Sequence, residues 1–176
     1  MEELRYPIGH FVYEGPYSPQ QRGDLIEVLA RIPIDYQDAV EGLTEDQLKV
    51  PYREGGWTIR QVVHHVADSH MNGYIRTKLA LTEANPTIKP YEEARWAELG
   101  DTFNTPLDIS LDLLEMLHLR WANLFLSMQE ADYQKTFFHP ASGKASTLDM
   151  QLANYVWHSQ HHLAHITTLR KRMGWV

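Results

Sequence analysis

Apolar residues spaced three and four apart recur in long segments of this sequence, and this spacing most constrains its fold. In "LDISLDLLEMLHLRWANLFLSMQ", residues 107–129, the spacing is followed by Leu111, Leu114, Leu117, Trp121, Leu124 and Phe125. It places one apolar stripe along an α-helix, whereas a half-buried strand alternates at every second residue. The segment therefore predicts an amphipathic helix that buries its stripe against other helices.

Three further long segments carry helix signals. Ser18 is the predicted N-cap of a first helix in "SPQQRGDLIEVLARIP", in which Pro33 is expected to cause a kink or an interruption. Thr58 and Gln61 have the capping-box spacing and predict the start of a second helix. A fourth helix is predicted in "STLDMQLANYVWHSQHHLAHITTLRKRM", residues 146–173, with basic residues in its last turn.

Four long amphipathic helices without an alternating strand pattern predict an all-α four-helix bundle. The length of 176 residues fits a single domain over residues 1–176. Residues 1–18, rich in Gly and Pro, are expected to form an extended surface arm. Residues 87–106 are expected to form a long crossover, either a lid over a site or a surface connection that packs Trp96 on the bundle. Residues 131–145 are expected to form a loop.

The composition excludes several classes of ligand and chemistry. A formal net charge of −7 without a run of Lys or Arg argues against nucleic acid as a partner. The absence of cysteine removes disulfides, thiolate metal ligands and a thiol nucleophile of the protein itself. No apolar segment reaches the roughly 18 residues of a membrane span, and the N-terminus does not resemble a secretory signal. We therefore expect a cytoplasmic protein without a membrane partner.

"WHSQHHLAHI", residues 157–166, places four histidines on the fourth predicted helix. At about 100° per residue, His162 lies nearest the apolar stripe and His158 on its margin, whereas His161 and His165 turn toward solvent. Two imidazoles four residues apart on one helical face can reach the same divalent ion. His158 and His162 are therefore the preferred pair of ligands, and His161 with His165 is the competing pair.

A third ligand must come from another helix. "VVHHVADSH" on the second predicted helix supplies His64, His65 and His70, and the third helix supplies His118. Four-helix bundles build metal sites from side chains of facing helices. Periodicity places His70 nearest the centre of the apolar stripe and His65 on its flank, which favours His70 as the third ligand. The alternative is that His70 is a core histidine satisfied by hydrogen bonds.

The motifs "GGWTIRQVVHHVADSHMN", "LALTEANPTIKPYEE", "LHLRW" and "YVWHSQHHLAHI" resemble the YfiT-type branch of the DinB-like metalloproteins, and the resemblance spans about residues 5–175. It implies a four-helix bundle with one divalent metal ion per chain, zinc or nickel, held by three histidines. It places these ligands on His65, His158 and His162, and thus favours His65 over His70. It also implies a homodimer.

Three functions are consistent with such a site. Three neutral imidazoles leave the ion its positive charge and an open position, so activation of water to hydrolyse a small-molecule substrate is the first hypothesis. The resemblance likewise implies a metal-dependent hydrolase. The second hypothesis is transfer of a low-molecular-weight thiol such as bacillithiol, because relatives in the superfamily activate such thiols and a thiolate suits a site with three nitrogen ligands. The third is a non-catalytic metal-binding module.

Three other side chains are candidates to assist the ion. Asp68, one turn beyond His65, and Asn154, one turn before His158, have spacings suited to orienting the imidazoles. Arg120 is a candidate to face an anionic group of the substrate, and a surface ion pair is the alternative interpretation. No general base stands out in the sequence.

Overall fold

The computed structural model describes residues 2–175, in which four long helices form a bundle. They are α2 (Pro19–Val40), α4 (Ile59–Thr82), α7 (Leu107–Leu126) and α8 (Leu148–Met173). Short helices precede and connect them: α1 (Glu2–Arg5), α3 (Glu45–Leu48), α5 (Glu93–Trp96) and α6 (Gly100–Asn104). A 3₁₀ turn (Glu130–Gln134) and the strands β1 (Thr136–His139) and β2 (Lys144–Thr147) lie between α7 and α8. The predicted four-helix bundle is confirmed.

Consecutive long helices lie diagonally across the bundle at two places. Helix α2 packs along α7 and α8, and α4 packs along the same two helices. The order around the bundle is therefore α2, α7, α4, α8, and the chain crosses the bundle in residues 41–58 and again in residues 127–147. Short loops join only neighbouring helices, so this arrangement requires long connections. Within residues 2–175, no helix combines the length and the apolar character needed to span a membrane.

Local capping signals set the starts of two helices as predicted. Ser18 Oγ accepts a hydrogen bond from the backbone of Gln21 at 3.3 Å, and Thr58 Oγ1 accepts one from the backbone of Gln61 at 3.2 Å. Both contacts belong to complete capping boxes. Helix α2 continues through Pro33, so the predicted interruption there is wrong. Pro33 is buried, and tertiary packing of the helix offsets the hydrogen bond that proline removes.

The segment predicted as a loop at residues 131–145 contains most of a β-hairpin. The two strands pair antiparallel, with Thr136 opposite Thr147 and His139 opposite Lys144. Strands of four residues are too short to show a clear alternation in the sequence. The hairpin is therefore a correction to the predicted loop, and it adds a two-stranded sheet to the helical bundle.

The N-terminal arm lies on the bundle as predicted, although residues 2–5 form one helical turn. Asp149, in the first turn of α8, is fully buried and anchors the arm. It accepts hydrogen bonds from the Tyr13 hydroxyl at 2.6 Å and from the Tyr17 backbone at 3.0 Å. Its other oxygen accepts from Arg22 Nε at 2.5 Å. Burial and the hydrogen bond to Asp149 raise the pKa of Tyr13 to about 12, so this hydroxyl remains a donor.

Gly73 lets α4 approach α7 and α8 closely. A Cβ atom built at this position would lie 2.5 Å from the Trp121 ring and 2.8 Å from Tyr155 Cε1. The Gly73 carbonyl accepts a hydrogen bond from Gln151 Nε2 at 2.7 Å, which holds α8 against the same point. Both aromatic rings are buried, so neither can move away at low cost.

We expect Gly73→Ala to lower the free energy of unfolding by about 1–3 kcal/mol, because the added methyl group overpacks the contact between the helices. Gly23→Ala is the matched control, since a Cβ atom there meets nothing within 4 Å. It should raise the free energy of unfolding by about 0.5–1 kcal/mol through helix propensity alone. Urea denaturation measures both changes. Equal stabilisation by the two substitutions would contradict the close approach at Gly73.

Candidate metal centre

Three imidazoles from two helices converge on one point. His65 on α4 faces His158 and His162, which lie one turn apart on α8. The Nε2 atoms of His65 and His158 are 3.4 Å apart, and one ligand atom from each of the three rings lies within 4.8 Å of the other two. Two nitrogens bound at about 2.05 Å to a tetrahedral zinc ion lie about 3.3 Å apart. The separation between His65 and His158 therefore matches two ligands of one ion.

Burial keeps these imidazoles neutral. It lowers the pKa of His65 to about 4. Burial first, and neighbouring imidazoles second, hold the pKa values of His158 and His162 well below the ordinary value. Each ring at neutral pH then carries one proton and one lone pair, which is the form that binds metal ions. Nδ1 of His162 is buried and has no hydrogen-bond partner within residues 2–175, so the donor set fits a divalent cation.

A chain of hydrogen bonds determines which nitrogen of His158 carries the lone pair. The Leu29 carbonyl can only accept, so Nδ1–H of His118 donates to it at 2.6 Å. Nε2 of the neutral His118 then accepts from Nδ1–H of His70 at 2.7 Å. Nε2 of His70 in turn accepts from Nδ1–H of His158 at 3.3 Å. Nε2 of His158 therefore keeps its lone pair, and this is the atom that faces His65.

His70 is fully buried and has hydrogen-bond partners at both ring nitrogens. It is therefore a core histidine satisfied by hydrogen bonds, the alternative to the ligand role that periodicity favoured. Ser159 Oγ lies 3.3 Å from Nε2 of His70, but its proton is directed at the Tyr155 carbonyl at 2.6 Å. The proton on His158 thus remains the donor to His70. The structure brings His65, and not His70, into the group of three.

His161 and His165 are buried, although the helical wheel predicted that they turn toward solvent. The Tyr6 ring lies 5.7 Å from the ring of His161. Tyr52 stacks on His165 at 3.8 Å, and Nε2 of His165 lies 3.1 Å from the Arg5 carbonyl. The N-terminal arm and the loop before α4 cover this side of α8, which a wheel of one helix cannot show. Both histidines stay outside the group of three.

Asp68 and Asn154 make no hydrogen bond to the three imidazoles in the described part of the chain. Burial first, and the nearby carboxylate of Asp101 second, raise the pKa of Asp68 to about 6. Asn154 lines a cavity beside His158. The structure therefore does not support the predicted orienting role of these two residues. The hydrogen-bond partner of His158 comes from another helix, and spacing along a single helix cannot reveal such a contact.

Two cavities lie against His158. The ligand cavity, of about 450 Å³, is lined by all three converging imidazoles. The side cavity, of about 490 Å³, lies between α4, α8, the crossover and the hairpin. Glu93 and Ala94 of the crossover line both cavities, as a lid over the site would. Trp96, which the alternative interpretation packs on the bundle, lies against Tyr91 of the same connection, with 4.6 Å between ring centres.

Two charged side chains that line these cavities are not among the predicted site residues: Arg76 lines the side cavity, and Glu93 lines both. Arg76 lies outside the quoted motifs, and Glu93 is the last residue of "LALTEANPTIKPYEE", but the motif alone does not assign it a role. Only the packing of α4 against the connection in residues 87–106 brings the two side chains beside the imidazoles. Arg120, the predicted contact for an anionic group, is exposed instead, and its guanidinium lies 5.6 Å from the centre of the Tyr74 ring. The arginine that faces the site from α4 is therefore Arg76, one helix away from the predicted position.

The family model of the DinB superfamily matches residues 20–166. The chain belongs to the DinB superfamily. A protein of Bacillus cereus named "Putative metal-dependent hydrolase" is 53% identical to this DinB protein over 175 residues, which are 99% of this chain and 100% of the relative. A protein of the same name from Bacillus anthracis has the same identity and coverage.

A solved structure extends the similarity to the fold. It is described as "YfiT from Bacillus subtilis is a probable metal-dependent hydrolase with an unusual four-helix bundle topology". It aligns with this DinB protein at a TM-score of 0.97 and 48% identity, over 99% of each chain. The resemblance inferred from the motifs is thus confirmed. The single domain and the homodimer stay predictions.

The buried His118 predicts a loss of stability in acid. Burial lowers its pKa to about 4, although the hydrogen bond to Leu29 opposes the shift. An unfolded histidine takes up a proton near pH 6.5, so protons bind the unfolded chain first as the pH falls from about 6.5 toward 4. The free energy of unfolding of the metal-free protein should therefore decrease over this range, as measured by urea denaturation.

His118→Phe removes this titrating group and should make the pH dependence shallower by up to about 1.4 kcal/mol per pH unit. Phe125→Leu is the control, because it weakens the core of the same helix without removing a titrating group. It should lower stability and leave the slope unchanged. An unaltered slope in His118→Phe would show that His118 binds protons equally in the folded and the unfolded chain over this range, which would contradict its lowered pKa.

Proposed function

We propose that this DinB protein is a metal-dependent hydrolase that holds one divalent cation, zinc or nickel, through His65, His158 and His162. The observation that carries the proposal is the convergence of three neutral imidazoles on the wall of a cavity of about 450 Å³, with 3.4 Å between two of their nitrogens. The names of the relatives support the class of reaction. A small-molecule substrate suits the size of the cavity.

Three protein ligands are typical of catalytic zinc sites, whereas structural sites have four. A cation bound there supplies a Lewis acid that polarises a carbonyl group and lowers the pKa of water toward about 7. The protein's own part is to fix the imidazoles. His70 orients His158 through its hydrogen bond, and the Trp57 ring packs on His65 with 4.5 Å between ring centres. These contacts hold the ligands in place before any substrate binds.

Glu93 is the carboxylate that we assign as the proton acceptor. It is the first residue of α5, and it lines both cavities that meet at His158. Glu92 beside it pairs with Arg95 at 2.8 Å, whereas Glu93 has no ion pair within residues 2–175. An unpaired carboxylate at this position can take the proton of an attacking water molecule.

Transfer of a low-molecular-weight thiol is a second candidate function, and the charge of the ligand cavity favours it. Arg5 and Arg53 line this cavity, and neither makes an ion pair in the part of the chain that the structure describes. These two cations outnumber the one carboxylate that lines the cavity, Glu93, and would suit an anionic thiol cosubstrate. The protein has no cysteine that would compete for the cation.

Metal binding tests the proposed ligands. We expect one equivalent of zinc per wild-type chain, and a loss of affinity of more than about 100-fold for His65→Ala, His158→Ala and His162→Ala. His70→Phe removes the acceptor for the ring proton of His158, and should weaken binding by about 10- to 100-fold. Competition with a chromophoric chelator measures these affinities.

His64→Phe is the matched control for the effect on zinc affinity. His64 is buried on the same helix, and its Nδ1 lies 2.7 Å from the Ser110 hydroxyl, away from the group of three. The variant should lose stability and keep its affinity for zinc. Retained affinity in His65→Ala, together with complete loss in His70→Phe, would show that the ligands are assigned wrongly.

Turnover assays on the zinc-loaded protein separate the functions. Hydrolysis of ester or amide substrates that requires the metal and no added thiol would support the hydrolase. Consumption of an electrophile that requires added bacillithiol, and that His158→Ala abolishes, would support thiol transfer. Zinc binding that raises the melting temperature without either reaction would support a non-catalytic module.

Glu93→Gln should lower kcat for hydrolysis by about 100-fold or more, because the amide cannot accept the proton. The affinity for zinc and the melting temperature should stay at their wild-type values, since the Glu93 side chain is exposed and forms no ion pair. Glu92→Gln is the control for a loss of negative charge at the neighbouring position, and it should keep kcat. An unchanged kcat in Glu93→Gln would mean that another group takes the proton.

A further inference from the structure

Arg76 places a positive charge in the side cavity, next to the proposed metal centre. This arginine is half-buried on α4, and within residues 2–175 it makes no ion pair with a carboxylate. Partial burial of a guanidinium costs free energy unless a hydrogen-bonded partner of opposite charge compensates it. The cavity around Arg76 has room for such a partner, with a volume of about 490 Å³.

The groups around Arg76 are mostly neutral and polar. Burial raises the pKa of Tyr155, and the charge of the nearby Arg76 opposes this shift. Burial lowers the pKa of His139, and the same charge adds to that shift. Asn154 also lines the cavity. Arg76 is thus a cation among hydroxyl, imidazole and amide groups that can donate further hydrogen bonds to an anion.

The acidic residues of the side cavity do not neutralise this charge. Glu92 is paired with Arg95 at 2.8 Å. Glu93 lies where the two cavities meet, and no Glu93 oxygen comes within 4.0 Å of an Arg76 nitrogen. No carboxylate of the described residues pairs with Arg76, so its guanidinium is free to pair with an anion that enters the cavity.

We propose that the side cavity binds a carboxylate group of the substrate through Arg76, while the reacting group of the same molecule lies at His65, His158 and His162. The inference rests on the proposed metal-dependent function, and it specifies the substrate class. His158 lines both cavities, so one small molecule can occupy them together. The planar fork of a guanidinium matches the two oxygens of a carboxylate.

A carboxylate fits the side cavity better than a phosphate group does. Phosphate carries between one and two negative charges at neutral pH, and its sites gather several cations or a helix N-terminus. The lining of the side cavity contains one arginine and no lysine. The net charge of −7 on the whole chain does not attract anions over a distance, so recognition depends on this local cation.

A pair of probes with a hydroxamate at one end tests this inference. Hydroxamates chelate zinc, and the monohydroxamate of succinic acid carries a carboxylate at its other end, whereas its methyl ester does not. The corresponding pair from adipic acid covers a longer span. Calorimetry on the zinc-loaded protein should show that at least one acid binds about 10- to 100-fold more tightly than its ester, the gain expected for hydrogen bonds to a charged group.

Arg76→Gln should abolish the preference for the acid over the ester. Its affinity for the ester should stay at the wild-type value, and this retained affinity would show that the variant is folded and loaded with zinc. Arg76→Lys should retain part of the preference for the acid, because lysine keeps the positive charge without the planar fork of the guanidinium. Arg120→Gln is the matched control outside the cavity, and it should keep the full preference for the acid. Equal affinities of acid and ester in the wild-type protein, or a preference that survives Arg76→Gln, would overturn the carboxylate site. Failure of all the hydroxamates to bind would overturn the proposed metal site and this inference together.

Discussion

One chain of hydrogen bonds passes through all four long helices of the bundle. It runs from the Leu29 carbonyl in α2 through His118 in α7 and His70 in α4 to His158 in α8. The chain visits the helices in the order in which they pack around the bundle. A buried imidazole needs a partner for its donor and another for its acceptor, so each ring depends on the helix beside it. Because the Leu29 carbonyl can only accept, it sets the donor and acceptor of every hydrogen bond in the chain. The lone pair that stays free is on Nε2 of His158, at the proposed metal centre.

This arrangement links the stability of the bundle to its proposed chemistry. The burial that keeps the imidazoles neutral makes their lone pairs available to a cation, and it also favours the unfolded chain in acid. A carboxylate in place of His70 would hold His158 more strongly, but it would add a negative charge to the interior. A neutral partner avoids that cost and would leave the charge of a cation held at the proposed centre undiminished.

The features that the sequence alone predicts are those that depend on neighbours within a few residues. The capping box of Thr58 and Gln61 and the spacing of His158 and His162 are local, and the structure contains both as expected. Periodicity ranked His70 above His65, because it measures burial and cannot distinguish a proposed ligand from a residue proposed to orient one. The cover over His161 comes from Tyr6, more than 150 positions away in the chain, and no helical pattern contains such a contact.

Helices and connections have different roles at the site. The three proposed ligands and their orienting histidines lie on helices, which hold side chains rigidly. Glu93 and His139, in contrast, belong to the two long connections that follow α4 and α7. Connections tolerate substitutions and insertions better than packed helices do. The proposed geometry of metal binding therefore depends on the helices, whereas the choice of substrate can change with the residues that these two connections place against Arg76.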